Sequence, residues 1–343
     1  MALTLTRPDD FHLHLRDGDV LADLVPPVAE RFSRALVMPN LTPPVTTVAA
    51  AGEYRERILA ATPAGVDFTP LMTLYLTETM AASEIKKATA SDFIHAAKLY
   101  PAGATTNSSA GVRDVGAITH LFEAMQDAGL VLAIHGELAN PSLDPYEREP
   151  RFVDEVLAPL VERFASLRIV LEHVSTQHAV DFVTQAGPNV AATITAHHLL
   201  CSRRALFAGG LSPHHYCRPI LQTEADREAL IAAATSGNPK FFLGSDSAPH
   251  PRDKKESGHA AAGIYTGYAA LELYAQAFAE AGALGRLENF ASRFGADFYG
   301  LEPNSAEVTL EETSWQPPAE YPLGQQTVVP LGAGESLRYR LRP

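Results

Sequence analysis

Short apolar runs alternate along the chain with longer amphipathic stretches, and this alternation constrains the fold more than any other feature. Each run ends in polar or turn-forming residues, as buried strands of a parallel sheet do. Eight such runs predict strands at residues 10–15, 34–38, 68–76, 93–99, 130–135, 168–173, 189–195 and 241–244. The intervening stretches predict helices at residues 53–61, 115–128, 152–164, 177–185 and 224–234.

Alternating strands and helices are typical of an α/β protein, either a (β/α)8 TIM barrel or an open doubly wound sheet. An open sheet that binds nucleotides usually carries a glycine-rich phosphate loop. The sequence contains neither G-x-G-x-x-G nor G-x-x-x-x-G-K-[ST]. We therefore predict a single barrel domain over residues 1–343, in which the proline-rich residues 303–343 form an extension packed on the barrel without a core of their own.

Composition and charge restrict the binding partners and the cellular compartment that we expect for this protein. Lys and Arg total 27 against 40 Asp and Glu, and the net charge of -13 disfavours nucleic-acid binding. No apolar run approaches the roughly 20 residues of a membrane helix, and the N-terminus lacks a signal-peptide core. Two cysteines cannot build a disulfide framework and indicate a reducing compartment. We predict a cytoplasmic protein that binds neither nucleic acid nor membrane.

The first predicted strand contains His12 and His14, followed by Arg16. Residues two apart on a strand point to one face, so the three side chains are expected to project together. A barrel interior normally holds bulky aliphatic residues, so two imidazoles there indicate a metal. The pair alone is a weak signal, because an H-x-H arises by chance in roughly one of two chains this rich in histidine. The alternative is a surface pair on an edge strand.

Four more residues of unusual type end predicted strands: Lys98, His135, His173 and Asp246. Starting from His14, the separations are 84, 37, 38 and 73 residues, near three, one, one and two strand–helix units. All six residues therefore fall at the carboxyl ends of strands one, four, five, six and eight, the rim where barrel enzymes have their active sites. A single buried histidine can simply bind a backbone carbonyl, but six such residues on one rim indicate a site.

The chemistry of this set favours zinc. Imidazole nitrogens and a carboxylate suit Zn²⁺, and two cysteines are too few for a thiolate centre. A protonated lysine would be repelled by metal ions, whereas burial beside cations favours the neutral amine. A neutral amine can add CO₂ and become a carbamate that bridges two metals. A lysine at position 98, among the predicted metal ligands, is therefore reasonable only if its positive charge is removed or paired.

At these residues the chain resembles the dihydroorotase family, in the form found as a separate enzyme in many bacteria, within the amidohydrolase superfamily. The superfamily likeness rests on the six residues above. The likeness to dihydroorotases rests on Arg16, Asn40, the loop with Thr105 and Thr106, and the segment 246–250. The family catalyses the reversible cyclisation of N-carbamoyl-L-aspartate to (S)-dihydroorotate plus water, the third step of de novo pyrimidine (UMP) biosynthesis.

The resemblance implies a binuclear metal centre at the carboxyl-terminal face of the barrel, with two Zn²⁺ per subunit. His12, His14 and Asp246 would hold one ion, His135 and His173 the other, with a carbamylated Lys98 and a hydroxide as bridges. The hydroxide would attack in the hydrolytic direction, and Asp246 would be the catalytic base and then acid. The second zinc would polarise the ring carbonyl.

The resemblance also implies how the small-molecule substrate is bound. Arg16, Asn40 and His250 would bind its α-carboxylate, and the planar guanidinium of Arg16 suits a carboxylate. Residues 103–111 would form a lid, for which a plain solvated loop is the alternative. The full expected set is His14, Arg16, Asn40, Thr105, Thr106, His135, Arg218, His250 and Ala262. Arg218 stands where the family usually has an apolar residue, although a main-chain contact to the pyrimidine ring would survive that change.

Two other functions remain open at this point. A hydantoinase-like cyclic amidase would keep the metal ligands but lack Arg16 and the Thr-Thr loop. A non-catalytic dihydroorotase-like scaffold would have lost metal ligands, all of which are present here. The family expectation for the assembly is a homodimer. The resemblance assigns no role to the pairs His197-His198 and His214-His215, and Cys217 is interpreted as a buried thiol near the pocket.

Overall fold

The structure, a computed structural model, describes residues 2–342. The strands of this part are β1 Ala2–Thr6, β2 Asp9–Leu13, β3 Arg34–Val37, β4 Thr69–Tyr75, β5 Ile94–Leu99, β6 Val131–His135, β7 Ile169–Glu172, β8 Val190–Ile194, β9 Phe241–Leu243, β10 Glu307–Trp315, β11 Tyr321–Leu323, β12 Gln326–Val328 and β13 Leu337–Leu341. Its α-helices are α1 Leu21–Arg31, α2 Val48–Ala61, α3 Ala82–Thr89, α4 Thr119–Ala128, α5 Arg148–Phe152, α6 Ala158–Arg163, α7 Gln177–Gln185, α8 Ala196–Leu200, α9 Glu224–Thr235, α10 Arg252–Lys255, α11 Ala270–Glu280 and α12 Phe294–Tyr299. The outermost limits of the predicted domain, residues 1 and 343, lie outside the described residues.

Strands β2 to β9 form one parallel sheet in chain order. The first and last strands approach each other where Leu13 forms a parallel bridge with Ser247. There the Asp246 N–H donates to the His12 carbonyl at 2.9 Å, which joins the two edges of the sheet. The predicted (β/α)8 barrel and its eight strands are therefore confirmed, and the open doubly wound alternative is wrong.

Apolar side chains fill the barrel interior. Phe11, Leu36, Val131, Val170 and Phe242 belong to one buried cluster inside the sheet. From α12, Tyr299 stacks on Phe11 with ring centroids 4.7 Å apart. A larger cluster packs the helices against the outer face of the sheet. Polar side chains are therefore accommodated at the carboxyl ends of the strands.

Several helix bounds differ from the predicted ones. The predicted helix 177–185 is α7, but the helix predicted from residue 53 begins at Val48, where the Thr47 side chain accepts from the Ala50 N–H. The helix predicted at 152–164 is α5 and α6 joined through a π-helical turn at Val153–Leu157. Helix α1 was not predicted, because Pro26 and Pro27 lie inside it and proline usually ends a helix.

The C-terminal extension joins the N-terminus in a second sheet. Strand β10 pairs antiparallel with both β1 and β13, and β11 pairs with β12. Strands β12 and β13 both lie within the extension predicted at residues 303–343. Leu310, Leu337 and Tyr339 of this sheet belong to the same buried cluster as the barrel helices. In residues 2–342, no helix is long and apolar enough to cross a membrane.

Candidate metal centre

The carboxyl ends of the barrel strands surround a narrow cavity of about 20 Å³, which has room for a water molecule. Most of the predicted site residues line it: His12, His14, Arg16, Asn40, Thr105, Thr106, His135, His173, Arg218, Asp246 and Ala262. Tyr100, Ala248 and Gly263 line it too and were not predicted. Lys98 is fully buried beside Tyr100, whose ring centre lies 5.3 Å from its Nζ.

One half of the site is built from His12, His14 and Asp246. The two Nε2 atoms are 3.3 Å apart, and they lie 3.3 and 3.1 Å from the Asp246 Oδ1. On the far side of its ring, His12 Nδ1 is 2.8 Å from a carboxylate oxygen of Glu172. A carboxylate can only accept, so a proton sits on His12 Nδ1, and Nε2 is the ring nitrogen left on the cavity side to bind a cation.

The other half is built from His135 and His173. His135 Nε2 donates to Glu137 at 2.8 Å, and this places the Nδ1 lone pair 3.1 Å from His173 Nε2. The rings of His12 and His173 lie 4.9 Å apart, so the two halves are continuous. Facing ring nitrogens that carry lone pairs repel each other unless a proton or a cation lies between them.

Lys98 is the unusual member of this set. It is fully buried, and its Nζ has no hydrogen-bond partner among residues 2–342. Burial lowers the pKa of Lys98 to about 8, although Glu172 and Asp246 act in the opposite direction. A substantial neutral fraction of this amine is therefore available near neutral pH.

These residues fit a metal centre. Ligand atoms of His12, His173 and Asp246 lie within 4.8 Å of one another, all buried. The donors are imidazole nitrogens and a carboxylate, the set that Zn²⁺ prefers when thiolates are absent. The unpaired Lys98 Nζ is a buried polar group that would be satisfied as a carbamate beside bound cations.

The backbone is strained at several of these positions. In the described part of the chain, positive φ values at non-glycine residues occur at Arg16 (58°), Asn107 (55°), His173 (43°) and Asp246 (43°). L-residues rarely adopt this region, and such strain persists where the surrounding structure enforces it. All four residues border the cavity or its covering loop. The fold therefore holds these side chains in positions that an unstrained strand end would not provide.

A close approach of two strands places Asp246 beside His12. A Cβ on Gly244 would lie 2.7 Å from the Thr193 Cβ and 3.0 Å from the His12 Cβ. These distances are too short for any side chain, so glycine permits β9 to approach its neighbours here. The carboxylate that follows two residues later then reaches both histidines.

The geometry of the first strand differs from the prediction. The strand ends at Leu13 instead of residue 15, and its register shifts between Asp10 and Leu13. Such a bulge adds a residue and redirects the side chains that follow. His14 and Arg16 therefore reach the cavity from the residues after the strand. The prediction that His12, His14 and Arg16 project together is confirmed, since all three line the cavity, but only His12 does so from within the strand.

The side of the cavity away from the histidines is cationic. Arg16 Nε donates to the Pro249 carbonyl at 3.0 Å, and its Nη2 lies 3.1 Å from His250 Nε2. His250 Nε2 is 2.9 Å from the Ala262 carbonyl. Burial, helped by Arg16, lowers the pKa of His250 to about 2, so this ring is neutral. Arg16 and Arg218 supply the positive charge on this wall.

The loop at residues 103–111 reaches across the cavity. Asn40 donates to the Thr106 carbonyl at 3.1 Å, and the Thr106 hydroxyl donates to the Ala262 carbonyl at 3.2 Å. Asn107 donates back to the Asn40 carbonyl at 3.1 Å. Arg218 Nη1 lies 3.4 Å from the Ala104 carbonyl. This arrangement favours a cover over the cavity rather than a plain solvated loop.

Sequence reasoning gave no role to three residues that support the site. Glu137 and Glu172 form hydrogen bonds with His135 and His12 and so orient their rings. In the sequence, each of these carboxylates lies within two residues of a predicted metal ligand, and this closeness could have identified them. Lys255 is buried and donates to the carbonyls of Tyr216 (2.7 Å), Ala261 (3.0 Å) and Gly263 (2.7 Å). It therefore holds the backbone on either side of Ala262. Nothing in its sequence context distinguishes it from Lys254.

Glu172 offers a test of this support. The Glu172→Gln variant keeps the shape of the side chain but removes its negative charge. That charge makes His12 a more basic, and therefore stronger, metal ligand. We expect about 10- to 100-fold weaker metal binding, measured by competition with a chelator, with unchanged circular dichroism. The control is Glu311→Gln, which changes a solvent-accessible carboxylate of β10. Equal metal affinities in the two variants would show that Glu172 has no part in ligand positioning.

Comparisons with known proteins give a consistent result. No protein-family model matches the chain. A curated relative from Azoarcus sp. (strain BH72), described as "Dihydroorotase", is 57% identical over 341 residues, 99% of each chain. A solved dihydroorotase from Saccharomyces cerevisiae in complex with 5-fluoroorotic acid is 33% identical with a TM-score of 0.91, over 99% of this chain and 98% of that one.

A third protein is similar in fold alone. An L-hydantoinase (dihydropyrimidinase) from Arthrobacter aurescens has a TM-score of 0.81 over 99% of this chain and 83% of its own, but only 17% identity. At that identity the likeness carries no information about the substrate. The sequence relative and the yeast structure are therefore the comparisons that bear on activity.

Proposed function

The chain belongs to the dihydroorotase family, hydrolases of a cyclic amide bond in pyrimidine biosynthesis, and from this premise we propose how its residues perform the reaction. The substrate pair is N-carbamoyl-L-aspartate and (S)-dihydroorotate plus water, interconverted reversibly. The hydantoinase-like alternative is weaker, because relatives above 55% identity are dihydroorotases and the hydantoinase likeness is one of fold. A non-catalytic scaffold is disfavoured by the complete ligand set.

The observation that carries the proposal is the convergence of His12, His14, His135, His173 and Asp246 around one buried lysine. His12, His14 and Asp246 would hold one Zn²⁺, and His135 and His173 a second. Lys98 would bridge the ions as a carbamate, formed when its neutral amine adds CO₂ and loses a proton. When bound, the metals would activate a water molecule as the nucleophile and polarise the amide carbonyl.

Asp246 is the proposed proton carrier. Burial alone would raise its pKa, but His12 and His14 hold the pKa of this carboxyl well below its usual range. It is therefore ionised and able to accept. In the hydrolytic direction Asp246 takes a proton from the attacking water and delivers it to the amide nitrogen as the ring opens. In cyclisation the same proton returns by the reverse path and water leaves.

The remaining wall binds the substrate carboxylate. Arg16 presents a planar guanidinium suited to two parallel charge-assisted hydrogen bonds. Asn40 and neutral His250 would add uncharged contacts, and the Arg218 and Ala262 main-chain groups would contact the ring edge. His14 and His135 would face the substrate as well as the metals. A net charge of -13 repels an anionic substrate overall, so this local positive charge is required for binding.

We also propose that the enzyme is a cytoplasmic homodimer built from one barrel domain with its extension at residues 303–343. The family resemblance and the two free cysteines support this assignment. Size-exclusion chromatography with light scattering distinguishes a dimer from a monomer.

The function is tested by assaying purified, zinc-loaded protein with carbamoyl-aspartate in the acidic range and dihydroorotate in the basic range. We expect interconversion of both compounds and at most slow turnover of hydantoin. Preferential hydrolysis of hydantoin would favour the rival cyclic amidase. No turnover of either compound would contradict the function.

The covering loop provides a separate prediction. The double variant Thr105→Val, Thr106→Val removes both hydroxyls while keeping side-chain shape. We expect kcat/KM to fall about 10- to 100-fold, because two hydrogen bonds to the closed state or the ligand are lost. Zinc content and Tm should stay near normal. The double serine variant, which keeps the hydroxyls, is the control, and full activity in the valine variant would identify the loop as a plain connection.

A further inference from the structure

A second group of metal-binding side chains lies at the end of β8, the strand between the ligand-bearing β7 and β9. His197 and His198 are in α8, and Cys217 lies on the segment that leads to Arg218. All three are buried, and one ligand atom from each lies within 4.8 Å of the other two. The ligand atoms of His12, His173 and Asp246 in the candidate metal centre lie within the same limit.

His197 has no polar partner for either ring nitrogen among the described residues, although its exposed fraction is 0%. A neutral imidazole carries one N–H donor and one lone pair, and buried groups of this kind are almost always hydrogen-bonded. Leaving both unpaired in a dry interior is costly. This side chain therefore indicates a ligand that the chain itself does not supply.

The other two members face a single acceptor. His198 Nε2 lies 3.2 Å from the Pro219 carbonyl, and the Cys217 Sγ lies 3.1 Å from the same oxygen. On the opposite side of its ring, His198 Nδ1 is 2.8 Å from the Thr195 hydroxyl. If the imidazole proton moves to Nδ1, the Thr195 oxygen accepts it and Nε2 presents its lone pair on the Cys217 side.

We propose that His197, His198 and Cys217 form an additional metal site for a thiophilic divalent cation of the Zn²⁺ type. Two imidazoles and one thiolate are a zinc donor set, and a fourth position remains for a solvent molecule. Bonds of about 2.0–2.3 Å would draw the ligand atoms closer together than they are now. Binding breaks the Cys217 S–H bond, its proton leaves to solvent, and the sulfur forms the bond to the cation.

The cation would join two elements that border the substrate cavity. It would link α8 to the segment at Cys217 and Pro219, between which Arg218 reaches the cavity and the Ala104 carbonyl. The site therefore serves as a structural cross-link behind the substrate wall. It does not depend on the proposed function, since none of its ligands belongs to the candidate metal centre.

Cobalt distinguishes this site from the candidate metal centre, which contains no cysteine. Metal-depleted enzyme is titrated with Co²⁺ while the near-ultraviolet absorption is recorded. We expect a thiolate-to-Co²⁺ charge-transfer band whose final intensity corresponds to one thiolate-bound Co²⁺ per chain, reached once the two positions of the candidate metal centre are also filled. In Cys217→Ser the band should disappear and the tightly bound Co²⁺ should fall by one equivalent. Cys201→Ser, the matched control, should keep both.

His197→Gln provides a second test that leaves the thiol intact. It should also lose one tightly bound equivalent, with circular dichroism unchanged. Absence of the band from the wild-type enzyme would overturn the proposal, whatever the variants do. So would a band that persists in Cys217→Ser or that disappears in Cys201→Ser. Because the readout is optical, these outcomes are independent of whether the enzyme cyclises carbamoyl-aspartate.

Discussion

Replacing Lys98 by alanine is expected to abolish metal binding at the bridged centre and to lower kcat by at least about a thousandfold. The reason is the place of this side chain, which is fully buried, interacts electrostatically with His12, His135 and His173, and has no hydrogen-bond partner among residues 2–342. A carbamate there would contribute a charge and two oxygens to hold both cations. Metal content by mass spectrometry and the cyclisation rate measure the two effects.

Chemical rescue provides the control for Lys98→Ala. A short carboxylic acid is able to enter the cavity left by the side chain, and we expect it to restore part of the metal content and part of the activity together. Lys87→Ala, at an exposed ion pair with Glu84, should change neither quantity. Normal zinc content in Lys98→Ala would contradict the bridging role.

Arg16→Met is expected to weaken transition-state binding by about 3–5 kcal/mol, a decrease in kcat/KM of roughly two to four orders of magnitude. Methionine keeps much of the volume of the side chain but removes the guanidinium that would pair with the substrate carboxylate. The loss should appear in steady-state kinetics with both substrates. Zinc content should be unchanged, because Arg16 is not a proposed ligand.

The matched control for Arg16→Met is Arg342→Met, which removes an exposed arginine paired with Glu311. It changes the net charge by the same amount without touching the cavity. We expect its kinetics to equal those of the wild-type enzyme. If both variants lose activity equally, general electrostatic attraction explains the effect. If Arg16→Met loses zinc, Arg16 acts on the metal centre instead.

The barrel was predictable because each strand is a short apolar run with polar ends, and that pattern is local. The predicted ends of the strands were less accurate than their positions. Leu15 is as buried as a strand residue, but the backbone has already turned, and Arg16 has a φ of 58°. Burial can be inferred from the residue type, whereas a bulge depends on the neighbouring strand.

Other elements depend on contacts far along the chain. Strand β1 pairs with β10 across about 300 residues, and neither carries a pattern that identifies its partner. Helix α1 could not be predicted because it contains Pro26 and Pro27. Its buried face includes Leu24, Val25, Val28 and Ala29. Packing of that face on the barrel outweighs the low helix propensity of proline, and packing is not visible in the local sequence.

The members of the candidate metal centre were predictable, because charged and imidazole side chains at strand ends are conspicuous. The carboxylates that orient these ligands were harder to predict. Glu172 is the last residue of β7, and only the fold shows that its oxygen reaches His12 Nδ1 at 2.8 Å, 160 residues away in the chain. The hydrogen bonds of Lys255 are equally invisible, since its acceptors are backbone atoms.

A crystal structure of the zinc-loaded, active enzyme tests the central claim most directly. The proposed centre predicts two anomalous-scattering peaks, one among His12, His14 and Asp246 and the other between His135 and His173. It also predicts continuous density from the Lys98 Nζ to a carboxyl group that contacts both peaks. An unmodified ammonium at Lys98 in such crystals would contradict the account.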